Sequence, residues 1–452
     1  MPARLARVSA LILVCLGGMM ATPAGQAARP VEPLTALSGR LFDFGPGPVM
    51  SGAVQVTADS RYDPARGFGF LEASGITCVD RGTADAGRRD FCTSDHAFRF
   101  AVDLPEGNHR VTVTLGDADG ESVTTVRAES RRLLLEQVTT ARGEFAVRSF
   151  VVNTRTSRLR AGGFVALKSR EYGVAHWDDR LTIEFVGRRP AVAAIEIVPA
   201  PDATTVFLAG DSTVTDQTAE PWSAWGQMLP RFFDAGIAVA NHAESGESLR
   251  SFIAERRLEK LFESMKPGDY LFLQFAHNDQ KLGDDTAEYE AALRRVARET
   301  RQHGGVPVFV TSMHRRRFSD DGKIVESLGR FPEAMRRVGA QDGVALIDLN
   351  AMSRRLFEAL GPDGTLRAFV HYPAGTFPDQ PEALKDDTHF NAYGAYELAR
   401  AVVEGIRQAG LGLASHLAPD VRPFDPATPD PLDQWTLPAS PISKPAAPPR
   451  VA

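Results

Sequence analysis

Pro199-Ala-Pro-Asp202 is followed by Thr204-Thr-Val-Phe-Leu-Ala-Gly-Asp-Ser-Thr213, and the character of the chain changes at that junction. From there on, short and nearly continuous apolar runs alternate with helix-like stretches. The runs occupy 204–209, 237–241, 270–275, 306–312 and 344–349, with helical patterns at 222–233, 251–265 and 286–303 between them and a last one at 392–408. Strands that are apolar on both sides are buried on both sides, and helices of this spacing cover the two faces. The pattern predicts a three-layer α/β domain over residues 203–415, built on a five-stranded parallel sheet.

Before the junction the grammar is different. Phe98-Arg-Phe-Ala-Val-Asp-Leu104 alternates, Pro105-Glu-Gly-Asn108 turns, and His109-Arg-Val-Thr-Val-Thr-Leu115 alternates again. Period-two alternation across such a connection is an antiparallel hairpin. Further strand-like runs stand at 149–152, 163–167, 180–186 and 193–198, and no long helical period interrupts them. Residues 37–199 therefore read as an all-β domain, a sandwich or jelly roll. After the last helix, residues 418–452 hold ten of the thirty prolines and read as a mostly extended or disordered Pro-rich tail.

The first residues carry Arg4 and Arg7, then an apolar run from Val8 to Met20, then the small residues Ala21-Thr-Pro-Ala-Gly-Gln-Ala-Ala28. A basic start, a short apolar stretch and a small-residue exit read as a secretory signal peptide over 1–28, which predicts a secreted or periplasmic protein that is free of the membrane after cleavage. The chain has a formal charge of −6, and loss of Arg4 and Arg7 makes it more acidic still. That argues against nucleic acid as a partner, since such binding rests on clustered Lys and Arg. Beyond residue 28 only Cys78 and Cys92 remain, which in an oxidising compartment can close one disulfide loop. Two thiols without a nearby His pair make half a zinc site, so no metal and no cofactor is expected.

In an open α/β sheet the ligand sits beyond the carboxyl ends of the strands. The first strand ends at Gly210-Asp-Ser-Thr213, the second is followed by Glu244-Ser-Gly246, the third by Ala276-His-Asn-Asp279 and the fourth by His314-Arg-Arg-Arg317; a long insertion after the fifth ends at Asp386-Asp-Thr-His389. These parts suit acyl transfer. Ser212, on what reads as a strand-to-helix turn with its N–H near a helix N-terminus, is a weak nucleophile until a base takes its proton. His389 is that candidate base, and Asp386, three residues earlier, can hold the imidazole tautomer and stabilise its cation. The N–H groups of Ser212 and Gly246 and the side-chain amide of Asn278 can serve the developing oxyanion. Each feature alone has a plainer explanation, such as a turn glycine or a helix cap. Together, in chain order and at one sheet edge, they are specific.

Those blocks resemble the SGNH (GDSL-type) hydrolase superfamily. The runs Phe207-Leu-Ala-Gly-Asp-Ser-Thr-Val214, Gln274-Phe-Ala-His-Asn-Asp-Gln280 and Asp387-Thr-His-Phe390 are similar to rhamnogalacturonan acetylesterases, over roughly residues 203–410. The resemblance implies Ser212 as nucleophile, His389 as base, Asp386 as its partner, and Ser212, Gly246 and Asn278 as the oxyanion hole. It implies an acetylated polysaccharide, rhamnogalacturonan, as substrate. Ala276 departs from the family, which usually has Gly there. The N-terminal domain resembles galactose-binding-like jelly rolls, in which Tyr62, Phe70, Tyr172 and Trp177 are candidates for stacking on sugars. Arg315, Arg316 and Arg317 are candidates for binding galacturonate carboxylates. The alternatives are a general esterase or lipase of the same superfamily, an inactive polysaccharide-binding protein and, more remotely, a metal enzyme on His371, Asp379, Asp387 and His389. Nothing in the sequence fixes the oligomeric state.

Overall fold

The computed structural model describes residues 39–72, 75–283, 285–378 and 380–440. The expected leader at 1–28, Asp379 and the last part of the tail lie outside these residues.

All five apolar runs of the second half form strands. They lie side by side in the order Ala345–Ile347, Val306–Val310, Tyr270–Gln274, Thr204–Gly210, Ile237–Asn241, and every neighbouring pair is parallel. Helices Leu349–Thr365 and Ala392–Gln408 pack on one face around Trp225, Phe357 and Val402. Helices Leu249–Ala254, Arg257–Ser264, Ala287–Gln302 and Phe331–Asp342 cover the other around Phe252, Leu293 and Val338. The single helix expected at 251–265 is two helices, because Arg256 turns left-handed at φ 63° between them.

The expectation of a separate five-stranded parallel sheet is corrected. Strand Ile237–Asn241 does not end the sheet but pairs in parallel with Phe145–Thr154 of the β-domain, through Val151↔Ala238 and Val152↔Val239. Phe145–Thr154 continues antiparallel into Gly107–Gly116, and the sheet runs on through Ala191–Pro199, Arg40–Phe44 and Val54–Val56. One mixed sheet of twelve strands therefore crosses both halves of the chain. The physical reason is that Ile237–Asn241 would otherwise present an open edge of unpaired backbone groups.

Over the β-domain portion lies a second, five-stranded sheet in the order Phe68–Phe70, Phe98–Asp103, Arg180–Val186, Ser122–Ala128, Arg132–Thr140. The alternating residues of 98–103 and 107–116 meet between the sheets, where Phe42, Phe44, Phe70 and Phe100 pack edge to face at 5.0–5.9 Å. Cys78 and Cys92 face each other on adjacent strands and are bonded as a disulfide. The strand expected at 163–167 is absent, for only an isolated bridge joins Arg158 to Phe164.

The tail also differs from expectation. Residues 418–440 carry no helix or strand, yet they are packed. Phe424 is buried in the hydrolase core, Gln137 Nε2 donates to Thr436 O at 2.8 Å, and buried Ser440 Oγ bonds Glu184 at 2.8 Å beside Arg127. Apolar and backbone partners on both halves hold the segment down in spite of its prolines.

Candidate active site

Ser212 lies in the turn that leaves strand Thr204–Gly210. Asp211 shapes the turn. Its backbone carbonyl accepts from the N–H groups of Val214 and Thr215 at 3.0 and 3.1 Å, and its Oδ1 accepts from the N–H and hydroxyl of Thr213 at 2.9 and 2.7 Å. Gln274, at the end of the neighbouring strand, donates to Thr213 Oγ1 at 2.8 Å. Burial raises the Asp211 carboxyl above its ordinary range against the pull of these Thr213 bonds. The expected helix N-terminus is not here, since residues 211–224 form turns and bends and the first helical turn is Trp225–Met228. A buried carboxylate, not a helix, holds the serine in place.

His389 sits on strand Leu384–Phe390, which pairs with Phe369–Tyr372. Its Nε2 is 2.8 Å from Ser212 Oγ, and its Nδ1 is 2.7 Å from Asp386 Oδ2. Asp386 Oδ1 accepts from the N–H groups of Thr388 and His389 at 2.9 and 3.0 Å. Burial pushes this carboxyl up, but the hydrogen bond and charge of His389 and the two N–H groups outweigh it and bring it down to about 2. A carboxylate so held is ionised at any working pH and keeps the imidazole oriented.

Asp387 has other partners, which separates the two adjacent aspartates. It binds His371 Nε2 at 2.8 Å and Arg316 Nη1 at 3.1 Å. It ties the hairpin to the loop after the fourth strand and does not touch His389. The metal set once conceivable from His371, Asp387 and His389 is thereby divided between two separate hydrogen-bond systems, and its fourth member, Asp379, lies outside the described residues.

Gly246 has φ +81°, a conformation that suits glycine. Among the described residues neither its N–H nor that of Ser212 donates to a protein acceptor. Asn278 Nδ2 spends one N–H on Glu247 O at 2.9 Å, which leaves its second donor. Asp279, buried behind it, accepts from Leu249 N at 2.9 Å. Burial lifts its carboxyl to about 7 against that hydrogen bond. Ala276 is not among the residues of positive φ, so its methyl group sits in this loop without backbone strain.

Of the three arginines that are candidates for carboxylate binding, two are taken up by the protein itself. Arg315 donates to His277 O at 3.2 Å and to Ser327 O at 3.0 Å, behind the Asn278 loop. Arg316 is spent on Asp387, Thr365 Oγ1 and Pro362 O. Only Arg317 is exposed. Half-buried guanidinium donors need acceptors, and here the protein supplies them. Of the candidate stacking aromatics, Phe70 and Trp177 are buried and Tyr62 is half-buried and bonded to Asp103 at 2.7 Å; Tyr172 alone is well exposed.

The sequence reading missed the cations that do reach the site. Lys168 and Arg170 come from the β-domain, and both lie 3.8 Å from the position a Cβ would take on Gly246. Lys168 pairs with Glu247, and Arg170 Nε donates to Glu244 Oε1 at 2.7 Å. Next to them Glu171 takes both arms of the fully buried Arg257. The one signal in the sequence was the pair of acidic residues flanking Gly246, which, once buried, require positive partners.

Comparison with known proteins places the chain in a family. The GDSL-like Lipase/Acylhydrolase family matches residues 208–396, and the galactose-binding domain-like family of beta-agarase/YXIM esterase-like proteins matches residues 40–155. The chain is 43% identical over 216 residues to the rhamnogalacturonan acetylesterase RhgT of Bacillus subtilis (strain 168), covering 47% of this chain and 93% of that protein. It is 28% identical over 415 residues to the uncharacterized esterase YxiM of the same organism, covering 89% of this chain and 96% of that protein. The crystal structure of YxiM is similar with a TM-score of 0.44 at 26% identity, over 83% of this chain and 99% of that one. With its serine, histidine and aspartate joined at the carboxyl edge of the sheet, the chain belongs to the GDSL-like lipase/acylhydrolase family of SGNH hydrolases and is a carboxylic ester hydrolase.

Proposed function

We propose that the chain is a secreted O-acetylesterase acting on a plant cell-wall polysaccharide, rhamnogalacturonan, by an acyl-enzyme mechanism. The observation that carries the mechanism is the unbroken relay Ser212 Oγ–His389–Asp386 at 2.8 and 2.7 Å. Ser212 attacks the acetyl carbonyl while His389 Nε2 takes its proton. Asp386 holds the tautomer and stabilises the imidazolium. The tetrahedral oxyanion is received by the N–H groups of Ser212 and Gly246 and the free amide proton of Asn278. His389 then protonates the sugar hydroxyl as it leaves, and water repeats the sequence to release acetate.

The substrate class rests on the likeness to RhgT, whose aligned length spans the hydrolase half of this chain. The leader-like residues 1–28 and the disulfide support an oxidising, extracytoplasmic location. Acetate release from acetylated rhamnogalacturonan, xylan and mannan tests the reading, alongside aryl esters of increasing acyl length. Release from rhamnogalacturonan well above the other polymers, with acetyl preferred to longer acyl groups, is expected. Preference for long acyl chains would replace the reading with a general esterase, and failure of a fluorophosphonate to label Ser212 would remove the serine mechanism.

A further inference from the structure

One contact of the β-domain with the candidate site converges on a single peptide group. The carbonyl of Ser245 accepts from Lys168 Nζ at 3.0 Å and also from Arg170 Nη2. The nitrogen of that same peptide belongs to Gly246. A trans peptide is planar, so its C=O and N–H point in opposite directions. Fixing the oxygen therefore fixes the direction of the N–H. Two cationic donors on the oxygen also draw electron density through the amide and make the N–H a stronger donor, as happens along any hydrogen-bonded chain.

Both cations are anchored. Arg170 is anchored by Glu244, Lys168 by Glu247, and the backbone between them by Glu171, which accepts from Lys168 N at 2.8 Å and pairs with buried Arg257. The far side of the loop is pinned by Asn278 on Glu247 O. The carboxylates are buried beneath while the two cations lie toward solvent, with side-chain exposures of 23% and 54% for Lys168 and Arg170 against 0% and 7% for Glu247 and Glu244.

We infer that Lys168 and Arg170 are positioning residues for ester hydrolysis: by holding the Ser245 carbonyl they orient and polarise the Gly246 N–H as an oxyanion donor, so the β-domain is a working part of the active site. The inference rests on the proposed role of Gly246, and it assigns that role a second layer supplied by another domain. Removing an oxyanion donor outright costs roughly 10²–10³ in turnover. Loosening one donor while leaving it present costs less.

The test uses Lys168→Met, Arg170→Gln and their combination in the full chain. On 4-nitrophenyl acetate the double variant is expected to lose about 10- to 100-fold in kcat with little change in KM. Affinity for a boronate that mimics the tetrahedral oxyanion should fall by the same factor, and Lys168→Arg and Arg170→Lys should restore most of both. A wild-type kcat in the double variant, or a loss in kcat with unchanged boronate affinity, overturns the inference. A readout independent of turnover is the backbone amide nitrogen resonance of Gly246, assigned by its disappearance in Gly246→Ala. It should move upfield when the carbonyl loses its cations, and an unmoved resonance overturns the inference even if the chain cleaves none of the proposed polysaccharides. Absence of aryl acetate hydrolysis by the wild type would instead sink the proposed function.

Discussion

Two edges meet over Ser212, and they are built in opposite ways. On the proposed proton-transfer edge, Asp386 and His389 stand three residues apart on one strand, and Asp387 braces that strand through His371 and Arg316. On the proposed oxyanion edge, the loop carrying Gly246 is held by Lys168 and Arg170, which lie some 75 residues away in the chain and in another domain. Proton transfer needs two groups in a fixed mutual orientation, and a short length of strand supplies that. Stabilising a charge that exists only in the transition state needs donors aimed in advance, and aiming a loop takes rigid partners outside it.

The largest expected effect tests the proton-transfer edge against its own neighbour. Asp386→Asn should lower kcat by about 10⁴, as the wrong tautomer does in serine proteases, whereas Asp387→Asn should cost less than about tenfold. Kinetics on 4-nitrophenyl acetate decides it, and a larger loss in Asp387→Asn would mean that the visible pairing is not the working one. A smaller effect is expected across the site. Gly246→Ala keeps the N–H but forces a Cβ into φ +81°, at a cost of about 1–2 kcal/mol that the loop relieves by shifting. Turnover should fall roughly tenfold at nearly constant KM, and unchanged turnover would show the loop to be less strictly aimed than its braces imply.

The smallest effect concerns stability, and it falls mainly outside the proton-transfer edge. Burial, reinforced by the charge of Glu171, raises Glu244 to about 7. Burial likewise raises Asp279 and Glu397 to about 7 and Glu129 to about 8. Such groups hold more protons folded than unfolded, so their contribution declines as pH rises from about 4 to 8. Buried His109, His176, His242, His277 and His314 are held below their ordinary value, and their contribution is lost as pH falls below about 6.5. The two trends oppose each other between about pH 5 and 6.5, and above that the raised carboxyls set the sign. The melting temperature should be nearly flat over the first interval and fall by a few degrees between pH 6.5 and 8. Asp386, held down to about 2, loses its contribution only below about pH 4. A melting temperature that climbs from pH 6.5 to 8 would contradict the buried-carboxyl account.

The same contrast sets what could be read from the sequence. The five hydrolase strands were legible because they are apolar on both faces, and helix Ala392–Gln408 because its apolar period is regular. Ser212, Asp386 and His389 were legible as reactive residue types at strand ends. Strands Ser122–Ala128 and Arg132–Thr140 were not, since their alternation is broken by buried charged residues. Arg132 is 1% exposed and bonds Asp216 at 2.6 Å, and Arg127 bonds Glu184 at 3.1 Å. A charged residue in a strand reads as solvent-facing unless its partner, more than fifty positions away, is already known. The partners of the arginine run were hidden for a similar reason. Three adjacent cations read as a patch, but Arg315 and Arg316 find acceptors 12 to 71 residues away in the chain.

The sheet that crosses both halves also bears on how the chain can be divided. A cut at residue 203 would free the edge of Ile237–Asn241, a strand with every residue buried, where Ala238 and Val239 now pair with Val151 and Val152. An apolar, flat, unpaired edge is a template for intermolecular pairing. In the full chain the β-domain caps that edge, so the hydrolase half cut at residue 203 is expected to self-associate more readily than the whole chain, which size-exclusion chromatography of the two would decide.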